Sequence, residues 1–198
     1  MKGLLVCFEG LDNSGKTTQV TRLAEILSLD EINTKVFSFP NKETRTWSLI
    51  DSYNLEFFDL HPKAAHLLYS ANRWEIQTTI RRYLDQGYVC LVDRYFYSGI
   101  AYSCGYHHVD LEWALNSDAG MILPDVVFYF ETSEQERVSR YGNEGRLSRY
   151  DNTTVQRDVE RIYRRLIKPS WILVNGNDPV ESISTFLLDT LKPKVLSL

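Results

Sequence analysis

The chain has 198 residues, enough for one domain with a sizeable core, and no linker-like stretch divides it. Its 26 Asp and Glu outweigh 22 Lys and Arg, which argues against a general nucleic-acid binder or a membrane-surface binder. Three scattered cysteines, Cys7, Cys90 and Cys104, show no metal-ligand spacing and fit buried free thiols in a reducing compartment.

In chain order, the apolar run 4–9 reads as a first strand. Met1-Lys2-Gly3 leads straight into it without a signal peptide, and no apolar stretch is long enough to span a bilayer. A cytoplasmic enzyme, or one shared between nucleus and cytoplasm, is therefore expected. Residues 10–17 follow as Gly10-Leu-Asp-Asn-Ser-Gly15-Lys16-Thr17, a complete G-x-x-x-x-G-K-[ST]. Residues 17–29 then carry Val20, Leu23, Ala24 and Leu27 on one helical face. Strand, glycine-rich loop and helix in this order make a phosphate site rather than a chance glycine turn. Gly10 and Gly15 let the backbone wrap an anion, and the N–H groups from Asn13 to Thr18, Ser14 among them, point positive dipole at it. Lys16 reaches donor phosphates, and Thr17 offers a hydroxyl to Mg²⁺.

Further strands are expected at 35–39, 89–93, 126–130 and 171–174. Helices are expected at 17–29, 44–53, 62–86, 111–116, 133–141, 154–167 and 179–191. The alternation predicts an α/β fold, a parallel five-stranded sheet of P-loop NTPase type with helices on both faces. Ligands in such sheets gather at the carboxyl ends of the strands.

The sequence at those ends is informative. The strand 89–93 ends in Asp93, a carboxylate suited to ordering Mg²⁺ or its waters, followed by Arg94, a planar cation suited to phosphate. The bland alternative is a surface ion pair, which the phosphate loop in the same chain disfavours. On the helix 62–86, Tyr69 and Arg73 share a face with Asn72 nearby, so one face offers an aromatic plane and a forked donor. Spacing alone favours a core tyrosine and a surface arginine here. Between 134 and 150, Arg137, Arg140, Arg146 and Arg149 surround Gly142-Asn-Glu-Gly145, a pattern that fits a cationic lid closing over phosphates.

Together these segments resemble the thymidylate kinase family, nucleoside-monophosphate kinases that convert dTMP to dTDP with ATP. The resemblance runs through Phe8-Glu9-Gly10-Leu11-Asp12, Gly15-Lys16-Thr17-Thr18-Gln19, Phe39-Pro40, Leu67 to Glu75, Val92-Asp93-Arg94-Tyr95 with Ser98-Gly99, Leu123-Pro124-Asp125 and Arg149-Tyr150. It covers about three quarters of the chain in the family's order and is closest to the eukaryotic and large-DNA-virus branch. The Ser-Ala-Asn-Arg-Trp-Glu run at 70–75 and Asp-Arg-Tyr followed by Ser-Gly carry most of its specificity.

The resemblance implies roles. Tyr69 stacks on thymine and Arg73 bonds its edge. Asp12 binds the sugar 3′-hydroxyl, Arg94 the dTMP phosphate, and Asp93 lies at the metal. Phe39, Lys42, Ser98, Gly99, Tyr102 and Tyr150 complete the dTMP site, with Tyr102 beneath the deoxyribose. It also implies Mg·ATP as donor and a homodimer. Three positions depart from the branch. Asn13 stands where a basic loop residue is usual, Lys42 where an arginine is, and Glu43-Thr-Arg-Thr-Trp47 replaces a glycine-containing stretch. The lid is expected to supply the missing charge, through Arg146 first and Arg140 next. Two rivals are a deoxynucleoside kinase, for which Glu9 would serve as the base, and a GTP-binding switch, which lacks its Asn-Lys-x-Asp reader here.

Overall fold

The computed structural model describes residues 3–140, 149–150 and 152–196. Five strands, β1 (Leu4–Gly10), β2 (Thr34–Ser38), β3 (Val89–Asp93), β4 (Val126–Glu131) and β5 (Ile172–Asn175), form one sheet in the order β2-β3-β1-β4-β5. Every pairing is parallel. Each strand lies within a residue or two of its expected place.

β1 is central and buried along its whole length, which is why its sequence shows no alternation of apolar and polar residues. One sheet face is covered by α1 (Lys16–Leu29) and α8 (Val180–Val195), through Val20, Leu23, Leu27, Ile183, Leu187 and Leu191. The other carries α3 (Pro62–Asp85), α4 (Phe96–Gly105) and α7 (Thr153–Leu166), packed through Ile80, Leu84, Ile100, Ala101, Val159 and Tyr163. Shorter helices α2 (Trp47–Asn54), α5 (Leu111–Ser117) and α6 (Glu134–Ser139) fill the loops.

Helix α4 has no counterpart in the sequence-based elements. Its sequence, Phe-Tyr-Ser-Gly-Ile-Ala-Tyr-Ser-Cys-Gly, is aromatic, glycine-containing and poor in helix formers. It is buried on almost every side, so it has no amphipathic stripe to read. The expected helix at 44–53 begins only at Trp47. Thr44 and Thr46 are held by side chains of α3 instead: Asn72 donates to both hydroxyls, and Glu75 accepts from Thr46. Because β1 lies between β3 and β4, the chain leaves the sheet in different directions at the carboxyl end of β1, and the crevice there holds the site.

Candidate active site

The phosphate loop leaves β1 at Gly10, whose φ of 142° only glycine adopts without strain. A Cβ there would also sit 2.9 Å from the Phe130 carbonyl oxygen. Asn13 has φ 59°, a left-handed conformation that asparagine tolerates better than most residues. Lys16 is buried beneath the loop, its Nζ donating to the Leu11 carbonyl at 2.5 Å and to Ser14 Oγ at 2.9 Å. Burial and then the Arg94 cation pull its ammonium down to about 7, against the pull of Asp93, Asp12 and Glu9.

Two cavities flank the loop. The first, of about 220 Å³, is lined by Asp12, Phe39, Tyr69, Arg73, Arg94, Ser98, Gly99, Tyr102 and Tyr150, along with Asn54 and Ser103. The second, of about 770 Å³, is lined by loop residues Asp12 to Thr18, by Arg94 and Arg140, and by residues 177–180 before and at the start of α8. Asp12 and Arg94 border both. The spacing-based preference for a core Tyr69 and a surface Arg73 therefore fails: both line a cavity, and Arg73 is buried.

Asp12 is the hub of the shared wall. It accepts from Arg94 Nη2 at 2.5 Å, Tyr102 OH at 2.7 Å and Gln156 Nε2 at 2.6 Å. Burial alone would raise its pKa, but Arg94, Lys16 and these hydrogen bonds outweigh it and hold the carboxyl below its ordinary value. Gln156 also accepts from the Asp12 amide and donates to the Tyr150 carbonyl, tying the chain just before α7 to the phosphate loop. Tyr150 packs edge-on to Tyr102 at 5.3 Å. Arg149 anchors that end through the Tyr53 and Phe58 carbonyls and lies 3.6 Å over the Tyr53 ring.

Asp93 ends β3 beside Phe8 and Ser38, and its Oδ2 accepts from Thr17 Oγ1 at 2.5 Å. Its Oδ1 is buried without a partner among the described residues. A hydroxyl and a carboxylate with a spare lone-pair oxygen suit a hard divalent cation that keeps several waters, so this pair fits a Mg²⁺ site. Among the described residues no group of three or more His, Cys, Asp or Glu forms a protein-only metal cage.

Glu9 is turned away from both cavities. Its carboxylate is fully buried and accepts from the Tyr95 and Ser98 amides at the start of α4, from Ser98 Oγ and from Tyr163 OH. It therefore holds the positive end of a helix rather than a reacting hydroxyl. Ser98 lines the first cavity with its hydroxyl engaged by Glu9 and Tyr163.

Lys42 stands apart from the other expected residues. It is exposed, 5.5 Å from the Trp47 ring centroid, and lines neither cavity. Its ammonium lies over the indole of Trp47, in the stretch that departs from the family's branch. Arg146 lies outside the described residues. Arg140 borders the second cavity, with its Nη1 3.4 Å from the Asn13 carbonyl and its Nη2 2.8 Å from that of Gly176. Asn54, which accepts from Tyr69 OH, was not singled out by the sequence, nor were Gln156 and Asp118. Asn54 ends α2 and Asp118 begins a turn, where nothing local distinguishes a polar residue from a solvated one; Gln156 shares the buried face of α7 with Val159, Tyr163 and Leu166, and that spacing is the signal that could have found it.

Known proteins resemble the chain over most of its length. A family model described as thymidylate kinase matches residues 8–187. A thymidylate kinase of Dictyostelium discoideum is 35% identical over 187 residues, covering 92% of this chain and 82% of its own. One of Danio rerio is 31% identical over 202 residues, covering 100% of this chain and 93% of its own. The solved structure of a thymidylate kinase from Candida albicans superposes with a TM-score of 0.88 at 30% identity, covering 98% of this chain and 92% of that one.

Proposed function

The chain belongs to the thymidylate kinase family, and from that premise we propose how its residues carry out the family's reaction. The enzyme transfers the γ-phosphoryl of ATP to dTMP, giving dTDP and ADP. The observation that carries the reading is the wall of Asp12 and Arg94 shared by the two cavities. A monophosphate in the first cavity and a polyphosphate in the second would meet at one cation.

ATP occupies the second cavity. Lys16 and the loop amides from Asn13 to Thr18 hold its β- and γ-phosphates, and Arg140 with residues 177–180 borders the remainder. dTMP occupies the first. Arg94 grips its phosphate, Asp12 the sugar hydroxyl, and Tyr102 supports the ring of the sugar. Tyr69 stacks on the base, Arg73 bonds its edge, and Phe39, Ser98, Gly99 and Tyr150 close the walls.

The acceptor oxygen is already ionised near neutral pH, so it attacks without a general base. A bond forms from that oxygen to the γ-phosphorus as the bridge to the β-phosphate breaks, and ADP carries the charge away. Catalysis is then positioning and charge neutralisation. Thr17 and Asp93 would hold Mg²⁺, which spreads charge over the donor phosphates when bound. Arg146 supplies the cation that Asn13 does not. Lys42 has the weakest support as a dTMP contact, given its place beside Trp47.

The buried Glu9 removes the carboxylate that a deoxynucleoside kinase would need at a 5′-hydroxyl. Asn41 of the Asn-Lys pair is buried and bound to Asn72, not poised to read guanine. Leu67 and Trp74 lie exposed two turns apart on α3, and this apolar stripe supports a homodimer. Three buried free thiols support a reducing compartment, the cytoplasm or nucleus. Among the described residues no helix is long and apolar enough to cross a membrane.

A screen of nucleoside monophosphates with ATP and Mg²⁺ tests the assignment. dTMP is expected to give the highest kcat/KM. Use of thymidine in place of dTMP, or ATP turnover independent of any pyrimidine deoxynucleotide, would overturn it.

A further inference from the structure

We propose that Asp118 is the positioning residue that fixes Arg73 in the orientation which reads the pyrimidine edge; this rests on the first cavity being the base site. Asp118 begins the turn after α5, 45 residues from Arg73, and neither element alone places them together. Arg73 Nη2 donates to Asp118 Oδ2 at 2.6 Å, and the two side chains are only 3% and 1% exposed. The other carboxylate oxygen accepts from Ser70 Oγ at 2.6 Å, so both oxygens are held.

Backbone also approaches the guanidinium closely: a Cβ at Gly99 would fall 2.5 Å from Arg73 Nη1 and 2.8 Å from its central carbon. The group is therefore held by a carboxylate and crowded by a position that leaves no room for a residue larger than glycine. His66 lies behind Asp118, its Nε2 4.0 Å from Oδ2. Its ring nitrogens are engaged by Ser103 and Ser117, and burial with the Arg73 charge holds its pKa below the ordinary value. A neutral His66 leaves Arg73 as the cation facing the carboxylate.

A guanidinium offers donors only. Held in this way it meets the ring carbonyl oxygens of thymine, and it opposes an amino group at the same position in cytosine. Arg73 lines the first cavity, so a ligand there can accept from the guanidinium; its Nε is buried without a partner among the described residues. Without the carboxylate the buried cation would lose its counter-charge and leave this position, and the selection of carbonyl over amino would go with it.

The test is Asp118→Asn in the full chain, with steady-state kinetics for dTMP, dCMP and ATP and a thermal melt. The KM for dTMP should rise about 10- to 100-fold, as expected for loss of a charged hydrogen bond, with the ATP KM within about twofold of wild type. The preference for dTMP over dCMP in kcat/KM should fall by about tenfold or more. Ser70→Ala frees one carboxylate oxygen but keeps the ion pair, and should raise the dTMP KM about threefold in the same direction. Equal losses for dTMP and ATP, or an unchanged dTMP preference in folded Asp118→Asn protein, would overturn the proposal. If Asp118→Asn does not fold, an unchanged dTMP KM in Ser70→Ala overturns it. Wild-type protein inactive on dTMP would instead sink the assignment of the cavity.

Discussion

The Arg94 guanidinium stands 2.5 Å from the Asp12 carboxylate at the wall between two cavities. Its Nη1 also donates to the Gly10 carbonyl at 3.0 Å, and the backbone at Arg94 takes φ 63° to aim it there. A strained conformation for a long side chain costs of order 1–3 kcal/mol and persists where surrounding structure enforces it. Here β3, with Arg94 N bonded to the Phe8 carbonyl, does so.

Arg94→Ala should lower kcat by about 10³-fold or more, the range of arginines that stabilise phosphoryl transfer. Arg94→Lys should recover little of this, because a point charge does not replace a planar fork. Single-turnover kinetics at saturating ATP and dTMP would check both.

Gly99→Ala should selectively weaken dTMP. Alanine in the middle of a helix normally stabilises by about 0.5–1 kcal/mol relative to glycine. The new methyl would meet the Arg73 guanidinium, which Asp118 does not let retreat. The expected signature is a lowered unfolding midpoint, because an overpacking cost of about 1–3 kcal/mol exceeds the helix gain, with a dTMP KM raised about tenfold and the ATP KM unchanged. An unchanged dTMP KM would mean that Arg73 is not pinned.

If ATP binds beside Lys16 as proposed, its binding should take up a proton. The folded pKa of Lys16, about 7, lies below the ordinary 10.5, so the unliganded protein loses this charge as pH rises through about 7. Phosphates beside the ammonium favour the charged form and restore it. Calorimetry in buffers of different ionisation enthalpy should show uptake of about one proton at about pH 8 and almost none at about pH 6. The same linkage raises stability between about 7 and 10.5, where the unfolded chain holds a proton that the folded chain does not.

Removing the cation proposed at Arg146 should affect the chemical step. Arg146→Ala is expected to lower kcat by about 10³-fold with dTMP affinity little changed. An unchanged kcat would move the role to Arg140, which lies beside the Asn13 carbonyl.

Glu9→Ala should destabilise rather than merely inactivate. It strands two backbone amides and leaves the Ser98 and Tyr163 hydroxyls only each other, with a cost of about 2–4 kcal/mol in urea unfolding. Glu9→Gln keeps an acceptor and should retain most of kcat. A total loss at every pH would instead mark Glu9 as a base.

The legibility of each part followed its range along the chain. The order of strands and helices could be read because burial leaves its mark within ten residues, as in β3, apolar from Val89 to Val92. Helix α4 could not, because complete burial erased the periodicity that would have shown it. The lysine beside Asn41 read as a pocket contact, and only the folded chain shows the Trp47 ring beneath its ammonium.

Gly10 to Thr17 fixed the phosphate loop by itself, since a local backbone path needs only nearby residue types. Its partners were decided by the folded chain. Arg94 reaches Asp12 across 82 positions, and Gln156 reaches it across 144. The carboxylate that clamps Arg73 sits in a turn sequence with no local signal. Such contacts arise where the sheet crossovers bring strand ends and helix faces together, and a side chain's charge carries no record of which distant neighbour will neutralise it.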